Sequence, residues 1–387
     1  MHSLGRWALV AAVVIGAGSA RRVVAAPASA PAAAAPLRVV ILGDTRPPLM
    51  GERAPAGPVK AVFEAVAREQ PDLAFHTGDY VDRGASRSAW KRFATDAAPL
   101  RAARVPLYPV LGNHEYFDHL FLRSRSALEG YFRAFDLPRR DAFGRPLPEV
   151  QPEARPPQGP RWYSVLKGGA LFIVLDSNNL DDLGGVRVRK DVLTLPEWDE
   201  QLRFVREHLE AADRDARVQH VFVLLHHPIY TRSSAHGSAR PLWDFPLGTA
   251  AERRSRTLKH WLDRSQKLRA VLVGHVHNYE RYTCERDGLP PVLYFVVGGG
   301  GAPGRALKGP ARGERFGPTP PLPNACLGVK GGYRATHKVP DGVPVWGYLR
   351  LAITPTEVRF EMVPVATQQP PDRGRLTVRG RAVTLEE

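Results

Sequence analysis

Thiol chemistry is nearly missing from this chain: 387 residues carry two cysteines, Cys284 and Cys326. Neither stands in a metal-ligand spacing, so a cysteine-built metal site is excluded and one disulfide is the most the chain can form. Acidic residues are also short, 39 against 54 Lys and Arg, which leaves a formal net charge of +15. The arginines are spread along the chain and read as a solvated surface rather than a polyanion patch. Such a field would help to draw in phosphorylated substrates. No aromatic-interleaved basic motif or zinc finger occurs, so no specific nucleic-acid partner is indicated. A membrane-length apolar run is absent too. The longest, Trp7-Ala-Leu-Val-Ala-Ala-Val-Val-Ile-Gly-Ala17, follows His2 and Arg6 and precedes small residues ending at Ala20 or Ala25. It reads as an export signal and is short for a span, though Arg21 and Arg22 leave an uncleaved anchor open.

The expected organisation is a signal peptide over residues 1–25, a Pro/Ala-rich linker over 26–36, one domain over 37–366 and a C-terminal tail over 367–387. The expected location is secreted or periplasmic. No internal repeat is evident. Strands from Leu37 and Leu73 and another ending near Asn113 alternate with helices over Val59–Gln70 and Ser86–Ala98, which argues for βαβ units. Phe117–Phe135 reads as a helix, and the Pro- and Arg-rich stretch to Pro160 as a surface excursion. Arg161–Val165 and Ala170–Asp176 form a hairpin turning at Gly168-Gly169. Helices follow over Trp198–Ala212 and Thr257–Leu268. Val292–Val297 ends in Gly298–Gly301, and two alternating runs flank Pro355-Thr356 as a second hairpin. The fold class is therefore α/β, with two packed sheets flanked by helices. His119, His208, His220, His260 and His337 have no constellation around them and read as surface residues. Tyr279, Glu280 and Arg281 read as the start of a helix or a loop lock.

Five apolar runs end in metal-competent side chains: Asp44, Asp79, Asn113-His114-Glu115, His226-His227, and Gly274-His275-Val276-His277. Open α/β folds place ligands at the carboxyl edge of their strands, so these residues outline a dinuclear metal centre. His76, within a strand, faces the core, and His227 points away from His226 if the strand persists.

Together, Gly43-Asp44, Gly78-Asp79, Gly112-Asn113-His114-Glu115, His226 and Gly274-His275-Val276-His277 resemble the calcineurin-like metallophosphoesterase superfamily, in its block order, from about residue 37 to 366. Gly274–Arg281, His226–Tyr230 and a further histidine ten positions on, His236, are most similar to purple acid phosphatases. Gly78-Asp-Tyr-Val-Asp-Arg-Gly84 resembles the serine/threonine phosphoprotein phosphatases instead. The resemblance implies a four-layer α/β/β/α sandwich. It implies that Asp44, Asp79 and His277 hold one ion and that Asp79, Asn113, His226 and His275 hold the other. Iron, manganese or zinc, as two divalent or mixed-valence ions, suits this mixture of imidazole and carboxylate.

Two departures from the family stand out. Position 46 is Arg where many members carry a ligating histidine, and arginine cannot ligate. Position 82 is Asp where purple acid phosphatases carry the tyrosine behind their colour, so the colour should be absent. Asp82 either fills the coordination position, directly or through water, or pairs with Arg83.

The implied mechanism is in-line attack on phosphorus by a metal-bound hydroxide. His114, then His236, are the candidates to stabilise the transition state or protonate the leaving oxygen, and Arg83 or Arg46 to grip the phosphate. The reading is an exported phosphomonoesterase with acid-phosphatase-like breadth, acting on a small-molecule phosphoester or a phosphoprotein. The alternatives are a phosphodiesterase of the same superfamily and a non-catalytic, metal-containing cell-envelope module that binds polyanions.

Overall fold

The computed structural model describes residues 35–49, 52, 57–179, 195–229, 231, 250–286, 288–304, 315–316, 333–335, 346–365 and 372–386. The expected signal and nearly all of the linker, Tyr230, His236, Cys326 and His337 lie outside them.

The first third of the chain alternates strand and helix. β1 (Leu37–Leu42) leads to α1 (Val59–Glu69), β2 (Leu73–His76), α2 (Arg87–Asp96), α3 (Ala98–Ala102) and β3 (Leu107–Pro109). Local chemistry sets these limits. Ser86 Oγ accepts the Ala89 amide at 3.2 Å and starts α2, as an N-cap does. Gln70, with φ of 46°, turns the chain out of α1.

The middle brings α4 (Glu129–Ala134), β4 (Tyr163–Lys167), β5 (Ala170–Val174), α5 (Leu195–Arg214), β6 (His220–Leu224), α6 (Ala250–Arg264) and β7 (Leu268–Val273). Strands then dominate: β8 (Tyr279–Arg286), β9 (Leu289–Val297), β10 (Arg315–Phe316), β11 (Tyr333–Ala335), β12 (Gly347–Thr354), β13 (Glu357–Pro364), β14 (Arg373–Arg379) and β15 (Ala382–Glu386).

Two mixed sheets result. One runs β15-β14-β13-β12-β1-β2-β3 and the other β10-β11-β8-β9-β7-β6-β5-β4. β1, β2 and β3 are parallel neighbours in the first, and β5, β6, β7 and β9 in the second. The sheets meet through aromatic rings, Phe75 with Phe172 at 4.8 Å and Phe360 with Phe295 at 5.3 Å. Continuous apolar runs suit strands covered on both faces. α1 and α2 pack through Phe63 and Phe93, and α1 lies against β12; α5 packs against α6 and β5. Helices thus flank two packed sheets, as expected. Among the described residues, no helix is long and apolar enough to cross a membrane.

Several expectations need correction. Phe117–Phe135 is not one helix: Asp118 Oδ1 accepts the Leu120 and Leu122 amides, Phe117 bridges Arg123, and Phe121 has φ of 56°. This side-chain capture competes with helical bonding, and regular α structure begins only at Glu129. Tyr279, Glu280 and Arg281 open strand β8 rather than a helix. His208 and His220 are buried, not on the surface. Ser164 and the Phe204 carbonyl hold His208, and the Thr354 carbonyl holds His220. The expected tail instead supplies β14 and β15, which extend the first sheet. Cys284 is disulfide-bonded.

Candidate metal centre

β1 and β2 run parallel, so their carboxyl ends project side by side and carry Asp44 and Asp79. Both aspartates take left-handed backbone with φ of 59°, and His275, beyond β7, does the same at 69°. Non-glycine residues seldom adopt this conformation, and it concentrates at functional sites. Backbone bonds lock the ends together: the Asp44 amide donates to Gly78 O at 2.9 Å, and the Thr45 and Arg46 amides donate to Asp79 O at 3.0 Å. Close approach depends on glycine. A Cβ on Gly78, whose φ is 103°, would stand 2.6 Å from Gly112 N and 2.7 Å from His226 Nδ1. One on Gly274 would stand 2.5 Å from Asp44 Oδ2.

Around these aspartates the other strand ends converge. His226 donates its Nδ1–H to the Thr77 carbonyl at 2.8 Å, which turns Nε2 inward. That Nε2 lies 3.0 Å from Asn113 Oδ1, 3.2 Å from His275 Nδ1 and 3.4 Å from Asp79 Oδ1. His275 Nδ1 is itself 3.0 Å from Asn113 Oδ1. Ligand atoms of Asp44, Asp79 and His226 lie within 4.8 Å of one another, as do those of His226, His227 and His275. His277 donates Nδ1–H to Pro303 O at 2.8 Å and turns Nε2 to within 3.6 Å of Asp44 Oδ1.

Such a gathering of acceptors calls for a shared cation. Burial lowers the pKa of His226, yet Asp79 and then Asp44 carry it up to about 9. Burial, then Asp79, holds Asp44 well above the carboxylate range. Asp79 goes the other way: against burial, His226 and then His114 pull it down. Imidazole nitrogens, an amide oxygen and carboxylates suit zinc, iron or manganese, so these residues fit the expected metals.

His114 lies beside the cluster. Its amide donates to Asp79 Oδ1 at 3.0 Å, its Nδ1–H donates to Asp82 O at 2.8 Å, and Nε2 is 3.7 Å from Asp79 Oδ2. Burial is the main cause that brings it down to about 4. Asp82 pairs with Arg83 Nε at 3.3 Å, and Arg83 lies under the Phe121 ring at 4.9 Å. Arg46 is buried and clasps Glu52 through two bonds of 2.8 and 2.9 Å. His76 is buried, 3.0 Å from Thr45 Oγ1. His227 points into the cluster after all, its ring 4.7 Å from that of His275 and its Nδ1 2.8 Å from Ser177 Oγ.

Three groups support the cluster in ways the sequence did not announce. Glu115 accepts the Asp79, Tyr80 and Gly112 amides, each at 2.9 Å, and so ties two strand ends together. Ser177 Oγ accepts the His226 and His227 amides at 3.2 and 3.0 Å. Asp176 takes the Tyr116 hydroxyl at 2.5 Å and Arg161 at 3.2 Å. Asp176-Ser177 also ends an apolar run, the signal that marked the other five.

The family model described as calcineurin-like phosphoesterase matches residues 37–279. A nucleotide pyrophosphatase/phosphodiesterase of Hordeum vulgare is 26% identical over 59% of this chain and 57% of its own length. A probable inactive purple acid phosphatase 9 of Arabidopsis thaliana is 24% identical over 71% of this chain and 41% of its own. The chain thus spans roughly half the length of these curated relatives. Among solved structures, a purple acid phosphatase from yellow lupin (Lupinus luteus) seeds shares the fold, with a TM-score of 0.59 at 20% identity, covering 89% of this chain and 54% of that one.

Proposed function

The chain belongs to the calcineurin-like phosphoesterase family, and from that premise we propose that it is an exported phosphomonoesterase with a dinuclear metal centre. One observation carries this reading: Asp44, Asp79, Asn113, His226, His275 and His277, drawn from five strand ends, turn their ligand atoms into one buried cluster. In this reading Asp44, Asp79 and His277 hold one ion and Asp79, Asn113, His226 and His275 the other. Bound there, the ions would supply charge neutralisation at the phosphate and an activated water.

The chain's own groups do the rest. Asp79 would be the residue shared by both positions, because its Oδ1 lies 3.4 Å from His226 Nε2 and ligand atoms of Asp44, Asp79 and His226 lie within 4.8 Å of one another. The Asp82 carbonyl holds His114 through Nδ1–H and leaves Nε2 3.7 Å from Asp79 Oδ2; in its imidazolium form, which the Asp79 charge favours, Nε2 would hydrogen-bond or protonate the leaving oxygen. Arg83 stands one residue from Asp82 with a third of its side chain exposed, placed to meet a phosphate oxygen. Asp82 is left out of the ligand set because its carboxylate serves Arg83.

A second reading has support in the barley relative's name: a phosphodiesterase with the same ligands. A third, a metal-holding module without turnover, has support in the Arabidopsis relative, named inactive. The deciding experiment compares p-nitrophenyl phosphate with bis-p-nitrophenyl phosphate after chelation and metal readdition. Faster monoester turnover is the expected result. Faster diester turnover moves the assignment to a phosphodiesterase, and retained metal without turnover of either overturns the enzyme. The substrate class is a small-molecule phosphoester or phosphoprotein, and export is tested by cell fractionation.

A further inference from the structure

The two halves of the centre are not equally equipped. Asn113, His226 and His275 place three ligand atoms within 3.2 Å of one another beside Asp79. The other half has Asp44, Asp79 and His277, and the single His275 amide donates to both Asp44 carboxylate oxygens at 3.0 and 2.9 Å. Asp82, which the sequence offered to complete it, pairs with Arg83.

What flanks this half is a cation. Arg46 follows Asp44 by two residues, and its amide is bonded to the Asp79 carbonyl at 3.0 Å. Its side chain is 1% exposed and immobilised by Glu52 at 2.8 and 2.9 Å and by the Pro47 carbonyl at 3.0 Å. Its Nε is buried and, among the described residues, has no hydrogen-bond partner. The guanidinium acts electrostatically on Asp44, Asp79 and His114, the groups an ion there would meet. An arginine keeps its charge under all working conditions, so this charge, only partly offset by Glu52, opposes a further cation beside those carboxylates.

We infer that Arg46 makes the centre asymmetric: the Asp79/Asn113/His226/His275 position retains its ion, while the Asp44/Asp79/His277 position binds weakly and exchanges its ion with solution. The inference rests on the proposed ligand sets but not on turnover. Arg46 is then a positioning residue that sets metal occupancy, and the protein's second ion follows free metal in its surroundings.

Metal content reads this directly. The full chain, loaded with excess Mn2+ and dialysed against metal-free buffer, should retain one equivalent by inductively coupled plasma mass spectrometry. Its Mn2+ isotherm should be biphasic, the second Kd weaker by at least about tenfold, the lower end of what changes around a ligand shell cost in affinity. Because Glu52 would be left unpaired by a single change, the test variant is Arg46→His with Glu52→Gln. It should retain two equivalents and bring the two constants together, with a spin-coupled signal in electron paramagnetic resonance. His275→Ala should lose the tightly held ion.

Two equivalents of equal affinity in the unaltered chain would overturn the inference. So would a double variant, folded by circular dichroism, that still retains one, or a chain that retains none. A chain that keeps one ion and hydrolyses no phosphoester refutes the proposed function alone; one that hydrolyses and keeps two refutes this inference alone.

Discussion

Asp79 is where the halves of the centre meet. Its Oδ1 takes the His114 amide at 3.0 Å and faces His226 Nε2 at 3.4 Å. Replacing it with alanine removes the shared carboxylate and leaves His226 without the charge that most favours its cationic form. Asp79→Ala should therefore lose metal and turnover together, checked by metal analysis and p-nitrophenyl phosphate assay on one preparation. His114 differs, because its ring reaches the proposed ligands only at Asp79 Oδ2, 3.7 Å away. His114→Ala should lower turnover by about 10²–10⁴-fold, the range of a general acid, with metal content nearly intact; loss of metal would contradict its role. A third residue tests the fold by pH. Burial, then Arg269, brings His220 down to about 4, against an ordinary 6.5. The unfolded chain binds the proton first, so stability falls as pH drops from about 6.5 towards 4. His220→Gln should flatten that slope by about 2–3 kcal/mol, the order of its shift, in urea titrations at pH 7 and 4.5.

At the scale of elements, the strand ends were the legible part. An apolar run closing on Asp, Asn or His needs no partner to be recognised, and five such ends identified the edge that carries the cluster. Less legible was whatever depends on contacts distant in sequence. His220 meets a carbonyl at Thr354 across the sheet interface, and nothing around either residue announces the other. Phe117–Phe135 failed for a local reason, since apolar spacing suggests a helix while Asp118 draws the chain into a turn. His227 faces the cluster because β6 stops at Leu224, so the strand alternation that would have turned it away does not reach it. The glycines before the ligands make an element-level prediction. Gly78 has φ of 103° and no room for a Cβ, with Gly112 N at 2.6 Å and His226 Nδ1 at 2.7 Å. Gly78→Ala combines a disallowed backbone with a clash and should cost at least about 2 kcal/mol. Metal retention should fall as the strand ends separate, while far-ultraviolet circular dichroism stays near that of the parent. Unchanged melting temperature and metal content would show that the ends tolerate a wider spacing.

For the molecule as a whole, the segment after residue 366 decides how the sheets are fastened. Its Arg-rich, Gly-containing alternation resembles a solvated tail, because strand β14 buries only Leu376 and the preceding Asp372 among its neighbours. Asp372 nevertheless spans the layers. Its carboxylate takes Arg281 Nε and Nη2 at 2.7 and 2.9 Å and the Tyr279 hydroxyl at 2.7 Å, both donors lying on β8 of the second sheet. Arg281 is 1% exposed and lies over the Phe360 ring of β13 at 5.0 Å, so its charge cannot turn to water when the carboxylate is gone. Breaking a buried pair by deleting one member costs about 3–5 kcal/mol, mostly through the charge left behind. Asp372→Ala should therefore lower unfolding free energy by that amount. Asp372→Asn, which keeps an acceptor for one donor, should lose less, and Asp372→Ala with Arg281→Met should recover part of the loss. The measurement is urea unfolding of the metal-free chains at neutral pH. If Asp372→Ala changes stability by less than about 0.5 kcal/mol, as for an ordinary surface substitution, the segment is only a covering strand pair and the fastening lies elsewhere.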